Sequence, residues 1–256
     1  PAGPRMRVNR FYLPGAAPRA VLPLPEDEAA HAVRVLRVAP GDAVRVFDGE
    51  GHEFPAAVRT IAKGRVEVEL GEAVAPPAPE MALHVTLAMA VLKGDHMDAV
   101  VRDATMLGVR VIVPVVTART ETSRAALERG SRPDRWRRVA VASAKQCGRA
   151  VVPTIGAPVD VETLLAGWQE APAAETRLVC VEPSAAVDAS RVQDVGRPAS
   201  GRATILVGPE GGWEPAELGA LLRQASGLLI GRRTLRAEAA PLVALVALLT
   251  VWREYL

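Results

Sequence analysis

The rhythm of hydrophobic and polar positions changes once along this chain, near residue 75. Before that point it has a period of two. Arg65-Val66-Glu67-Val68-Glu69-Leu70 alternates as a half-buried strand should. Val44 to Phe47 is a second apolar run, and it enters Asp48-Gly49, a hairpin signal. Proline and glycine punctuate the remainder, so 1–74 reads as a small β-barrel. Ala75-Pro76-Pro77-Ala78-Pro79 fits neither a helix nor a central strand, because proline lacks the N–H that both require. The segment 75–80 therefore reads as an extended linker.

Beyond it, 81–256 alternates strand and helix patterns. Leu83 to Leu92 is predicted as a strand, with Lys93-Gly94-Asp95 as the turn. Met97, Val100, Val101, Ala104 and Leu107 then repeat at helical spacing up to Gly108. Val109 to Val116 is the next strand. Asp134 is placed to cap a helix whose face holds Trp136, Val139, Ala140, Ala144 and Cys147. Arg177 to Val181 and Ala203 to Val207 are continuous apolar runs, the mark of parallel strands buried on both faces. Pro215, after Glu214, opens a further helix. The βαβ order predicts an α/β domain with a mostly parallel sheet.

Composition narrows the class. The chain has 256 residues, 49% hydrophobic and 23% charged, with a net charge of +2. Bulk charge thus does not mark a nucleic-acid binder, but its distribution points that way. From Arg102 to Arg149 there are eleven basic residues against four acidic ones, a local excess suited to phosphates. Cys147 and Cys180 form no CxxC pair and read as reduced thiols of a cytoplasmic protein. The histidines at 31, 52, 84 and 96 lack metal-ligand spacing, so no metal is expected. Ala239 to Trp252 is almost wholly apolar, yet shorter than the ~20 residues of a membrane span. It reads as a helix buried on all sides, in a core or a subunit interface, with no membrane association.

Two loops could carry chemistry. Leu206-Val207 leads into Gly208-Pro209-Glu210-Gly211-Gly212, a turn after a buried strand where glycine lets a ligand approach the backbone closely. It is neither a Walker loop nor GxGxxG. Ile230-Gly231 ends another strand, and Leu235-Arg236-Ala237-Glu238 leads toward the apolar helix. Polar turns that follow buried strands converge on one sheet edge, where open α/β sheets bind ligands. Unpaired charge entering an apolar helix is expensive, which favours a site over ordinary surface charge.

In this order the two loops resemble those of the SPOUT methyltransferases, and most closely the family that methylates N3 of a uridine in 16S ribosomal RNA. The likeness extends to Arg7-Val8-Asn9-Arg10 before Phe11, to His31–Arg37 as a first helix, and to Lys93–Asp98 with Leu107-Gly108. Trp136, Gln146–Arg149 and Pro153 also fit. Four positions depart from it: Asp103 and Met106 stand where the family commonly has Lys and Glu, and Ala237 and Ala239 where it usually has threonine.

The resemblance implies a C-terminal domain tied in a trefoil knot, an exception to the rule against knots. It also implies a PUA-like or OB-type N-terminal module for RNA docking, and a homodimer with the active site near the subunit interface. S-adenosylmethionine would be held by Leu206, Val207, Gly208, Pro209, Glu210, Gly211 and Gly212 of one loop. Ile230, Gly231, Leu235 and Arg236 would hold it from the second, with Glu182 and Pro183 beside them. S-adenosylhomocysteine would be the product, and the small ribosomal subunit the partner. Uracil N3 is a poor nucleophile while protonated, so a base or a cationic donor is needed. Arg236 is the expected donor, while Glu238 or Glu210 would be the base or would hold Arg236. Arg7, Arg10, Arg34, Arg37 and Arg149 are the expected phosphate contacts, with an ordinary surface arginine as the alternative for each. The rival functions are a knotted ribose 2′-O-methyltransferase and a non-catalytic ribosome assembly protein.

Overall fold

A computed structural model describes residues 8–170, 175–185 and 187–254. The described chain divides into two compact units, one reaching to Glu80 and including Ala144–Val152, the other comprising Met81–Ser143 and the residues from Pro153 on.

The first unit contains β1 (Arg10–Tyr12), β2 (Val21–Pro23), α1 (Glu26–Arg34), β3 (Ala43–Phe47), β4 (Glu53–Ala62) and β5 (Arg65–Leu70). They form a five-stranded sheet in the order β1-β3-β4-β5-β2, with only β1 and β3 parallel. The alternation in β5 sends Val66, Val68 and Leu70 into the core and its charged residues outward. Between β3 and β4 the Asp48 carboxylate accepts the N–H groups of Glu50, Gly51 and His52, at 2.7, 3.1 and 3.0 Å. Burial works to raise its pKa, but these N–H donors and the His52 ring outweigh it and leave the pKa lowered. The connection is therefore a five-residue loop organised by Asp48, longer than the tight turn that Asp-Gly suggests. Helix α1 begins after Pro25 with Glu26, Asp27 and Glu28 in its first turn, where carboxylates complement the helix dipole. It thus starts earlier than His31 and ends before Arg37, whose φ is +54°. Val74, before the prolines, and Ala78, among them, make isolated bridges with Glu53 and Arg149.

The second unit contains β6 (His84–Ala90), α2 (His96–Met106), β7 (Val111–Val116), α3 (Arg124–Arg129), α4 (Arg132–Cys147), β8 (Thr154–Ile155) and β9 (Val159–Asp160). It continues with α5 (Val161–Glu170), β10 (Thr176–Cys180), β11 (Ala189–Arg191), β12 (Arg202–Val207), α6 (Pro215–Leu222), β13 (Ser226–Leu229) and α7 (Ala240–Val251). The last turn of α4, from Ala144, counts with the first unit. The strands form a parallel sheet in the order β11-β13-β10-β12-β6-β7-β8, with β9 also on β7. The late strand β12 lies between β6 and β10, and β13 lies between β10 and β11.

The central strands are buried on both faces, which is why they read as unbroken apolar runs. Leu164, Leu165, Leu218 and Leu222 of α5 and α6 cover one face, and α2 packs against α7. Helix α2 buries Met97, Val100, Val101 and Ala104 and ends where Gly108 adopts φ +90°. Helix α4 starts two residues before Asp134, which sits in the first turn paired with Arg137 at 2.6 Å. Pro133 explains the early start, because a first-turn proline forfeits no helical hydrogen bond. Among the described residues, no helix is long and apolar enough to cross a membrane.

Candidate active site

Strands β13, β10 and β12 are adjacent and parallel, so their carboxyl ends lie side by side, each about 4.8 Å from the next. Loops distant in sequence are thereby brought to one edge, where they surround a pocket of about 430 Å³, within the range for a small-molecule site. The β10 loop supplies Val181, Glu182 and Pro183. From the β12 loop come Val207, Gly208, Pro209, Glu210, Gly212 and Trp213. The β13 loop adds Ile230, Gly231 and the run from Arg233 to Glu238.

Local chemistry fixes these loops. The Trp213 indole N–H donates to the Cys180 carbonyl at 3.1 Å, so the β12 loop folds back over β10. A Cβ on Gly208 would lie 2.9 Å from that indole, too close for any other residue. Gly212 closes the turn at φ +69°, its N–H donating to the Pro209 carbonyl at 2.9 Å. Gly231 differs from both, because a Cβ built there would meet no atom within 4 Å. It borders open pocket space. Two expected contacts lie elsewhere. Leu206 is fully buried within β12, one residue short of the wall. Gly211 is absent from the pocket lining, and its carbonyl instead accepts from Arg119 at 2.8 Å.

The titratable groups are arranged around a residue that the sequence did not single out. His96, in the first turn of α2, lines the pocket. Its Nδ1 lies 3.9 Å from the Glu210 carboxylate and 3.8 Å from that of Glu238. Glu210 also accepts the Lys93 N–H at 3.0 Å. Arg236 starts the turn into α7, its carbonyl accepting the N–H groups of Ala239 and Ala240, while its side chain is exposed. Among the described residues, neither Glu210 nor Glu238 is ion-paired with Arg236; the ring of His96 lies beside both. Cys180 also lines the pocket, but burial pushes its thiol up to about 12, which keeps it protonated and unreactive.

The expected RNA contacts separate into two groups, Arg7 lying outside the described residues. Arg34 and Arg37 are exposed. Arg10 is held by Glu53 at 2.7 Å and by the carbonyls of Ala144 and Arg149 at 2.9 and 2.8 Å. Arg149 is buried in a two-point contact with Glu80, at 2.8 and 2.7 Å. Both guanidiniums are committed to internal partners and are not available to phosphate. Much of the wider basic run is also paired, mostly at the surface. Arg102, Arg119, Arg124, Arg135, Arg137 and Lys145 all carry carboxylate partners. Among the described residues, Arg129 and Arg138 are the exposed arginines of the run without a carboxylate partner.

The family model for the RNA methyltransferase domain matches residues 79–249, and that for the RNA methyltransferase PUA domain matches 24–71. The ribosomal RNA small subunit methyltransferase E of Synechocystis is 32% identical, over 83% of this chain and 67% of its own length. The chain belongs to the ribosomal RNA small subunit methyltransferase E family. A solved family member from Neisseria gonorrhoeae, bound to S-adenosyl methionine, is 30% identical with a TM-score of 0.83. The match covers 96% of this chain and 98% of that one. A methyltransferase of Legionella pneumophila, solved with the same cofactor, is 26% identical with a TM-score of 0.83, covering 96% and 98%.

The residues present here fit such a cofactor. The pocket has the right size, backbone from three loops lines it, and Gly231 leaves space that a side chain would fill. Ala237, on the same wall, offers no hydroxyl to a ligand.

Proposed function

We propose that this protein transfers a methyl group from S-adenosylmethionine to N3 of a uridine in 16S ribosomal RNA. The observation that carries this reading is the convergence of three strand-end loops on one pocket that also holds Arg236, Glu210, Glu238 and His96. When bound, S-adenosylmethionine supplies an electrophilic methyl carbon on a sulfonium. Glu182, Pro183, Val207–Glu210, Gly212, Ile230, Gly231 and Leu235 would hold it. Arg236, exposed beside the pocket and free of a carboxylate partner among the described residues, is suited to steady charge on O2 or O4 of the ionising uracil. The target base has to leave its stack to reach such a pocket.

The same reading makes 1–74 an RNA-docking module, 75–80 a linker and 81–256 a knotted catalytic domain that acts as a cytoplasmic homodimer. Insertion of β12 and β13 between earlier strands supports a threaded C-terminal segment. Exposed Leu242 and Val243 on α7 support a subunit contact.

Small ribosomal subunits from a strain lacking the endogenous enzyme provide the test, incubated with the protein and a methyl-labelled donor. Nucleoside mass spectrometry should find the label in N3-methyluridine. Label in a 2′-O-methylated nucleoside, or none, overturns the proposal.

A further inference from the structure

Resting on that reaction, we propose that His96 is the general base that takes the N3 proton of the target uridine, with Glu210 and Glu238 as its positioning carboxylates. Three elements bring the group together. His96 comes from the start of α2, Glu210 from the loop after β12, and Glu238 from the turn before α7, and all three line one pocket. Both carboxylates lie on the Nδ1 side of the ring, at 3.9 and 3.8 Å. These separations suit charge interaction or a bridging water and are too long for direct hydrogen bonds. Two anions near Nδ1 favour the tautomer that carries its proton there, leaving the Nε2 lone pair to accept one. They also stabilise the imidazolium that forms. This is the logic of a base oriented by an acid, here with two partly exposed acids sharing the task.

The choice of base follows from chemistry. An ordinary carboxylate titrates near 4 and an ordinary imidazole near 6.5, and a base works best when its pKa is near the working pH. The carboxylates alone are poorly matched to so weak an acid as uracil N3. The other charged residues lining the same pocket are Arg233, Arg236 and Glu182. On the ring's own segment, Lys93 is occupied by Glu121 at 2.6 Å and Asp98 by Arg135. Asp95 immediately precedes α2.

The step balances as follows. The N3–H proton passes to Nε2, and the N3 electron pair forms a bond to the methyl carbon. The carbon–sulfur pair departs on sulfur to leave a thioether. The imidazolium then returns its proton to solvent.

The test is His96→Gln, which keeps polarity but cannot take a proton. Because the ring is about half exposed (side-chain exposure 46%), melting temperature and cofactor affinity should be unchanged. Single-turnover methylation at neutral pH should fall about 100-fold or more. The wild-type rate should drop on the acid side through a single-proton transition. The variant should lack that transition and recover with rising pH, as uridine ionises without help. In the cofactor-free protein, ¹⁵N NMR should place the neutral ring's proton on Nδ1. Glu210→Gln with Glu238→Gln should weaken that preference. Wild-type activity together with an unchanged rate and pH profile in His96→Gln overturns the base alone, as does a neutral ring protonated on Nε2. Failure of the unaltered protein to methylate N3 overturns the reaction and the base with it.

Discussion

Gly208 and Gly231 occupy the same place in their patterns, each just past a buried parallel strand, yet they answer to different constraints. Gly208 is required by the protein itself, since Trp213 covers it. Gly231 is required only if something else occupies the pocket, because its own surroundings would accept a larger residue. Gly231→Val should therefore leave the melting temperature within a degree or so and weaken cofactor binding at least about tenfold in titration calorimetry. Gly208→Val should lower the melting temperature, because ring or backbone has to move. Equal cofactor affinity in Gly231→Val and wild type would show that the ligand does not approach that loop. Gly211 is a poor probe for the same purpose, since a side chain there would press on the Arg119 methylenes outside the wall.

Helix α7 is read from sequence as apolar on every side, and the structure resolves that into two faces. Pro241, Ala244, Leu245, Leu248 and Leu249 are buried against its own unit. Leu242 and Val243 remain 38 and 40% exposed, with half-buried Val246 and Ala247 one turn further on. An apolar stripe of this kind on a helix in water is stabilised by a partner surface. Val243→Glu should therefore convert a dimer to a monomer in light scattering, with little loss of thermal stability because the position is not in the core. A wild-type protein that stays monomeric at tens of micromolar would remove the basis for this reading. Periodicity alone could not have separated the two faces, because Thr250, in the last turn, is the one polar residue on the helix.

Over the whole molecule, what the sequence made legible was what depends on neighbouring residues. Strand runs, the glycine turns and the proline-rich segment are local patterns, and the parallel sheet follows from their order. Partners brought together by folding were not legible. Arg10 and Arg149 look like phosphate ligands until Glu53 and Glu80 are placed beside them. His96 looked inert because Glu210 and Glu238 are more than a hundred residues away along the chain. The sheet order that brings those distant groups together also sorts the four tryptophans. Trp136, Trp168 and Trp252 are 1, 7 and 1% exposed, in the cores. Trp213 alone borders the pocket, its indole tethered to the Cys180 carbonyl. The protein therefore carries a built-in optical reporter. Cofactor arrival should change the emission of one indole out of four, and Trp213→Phe should silence the response even where calorimetry still detects binding. If the emission change survives in that variant, the ligand is acting on a distant core tryptophan, and the pocket is not rigid when filled.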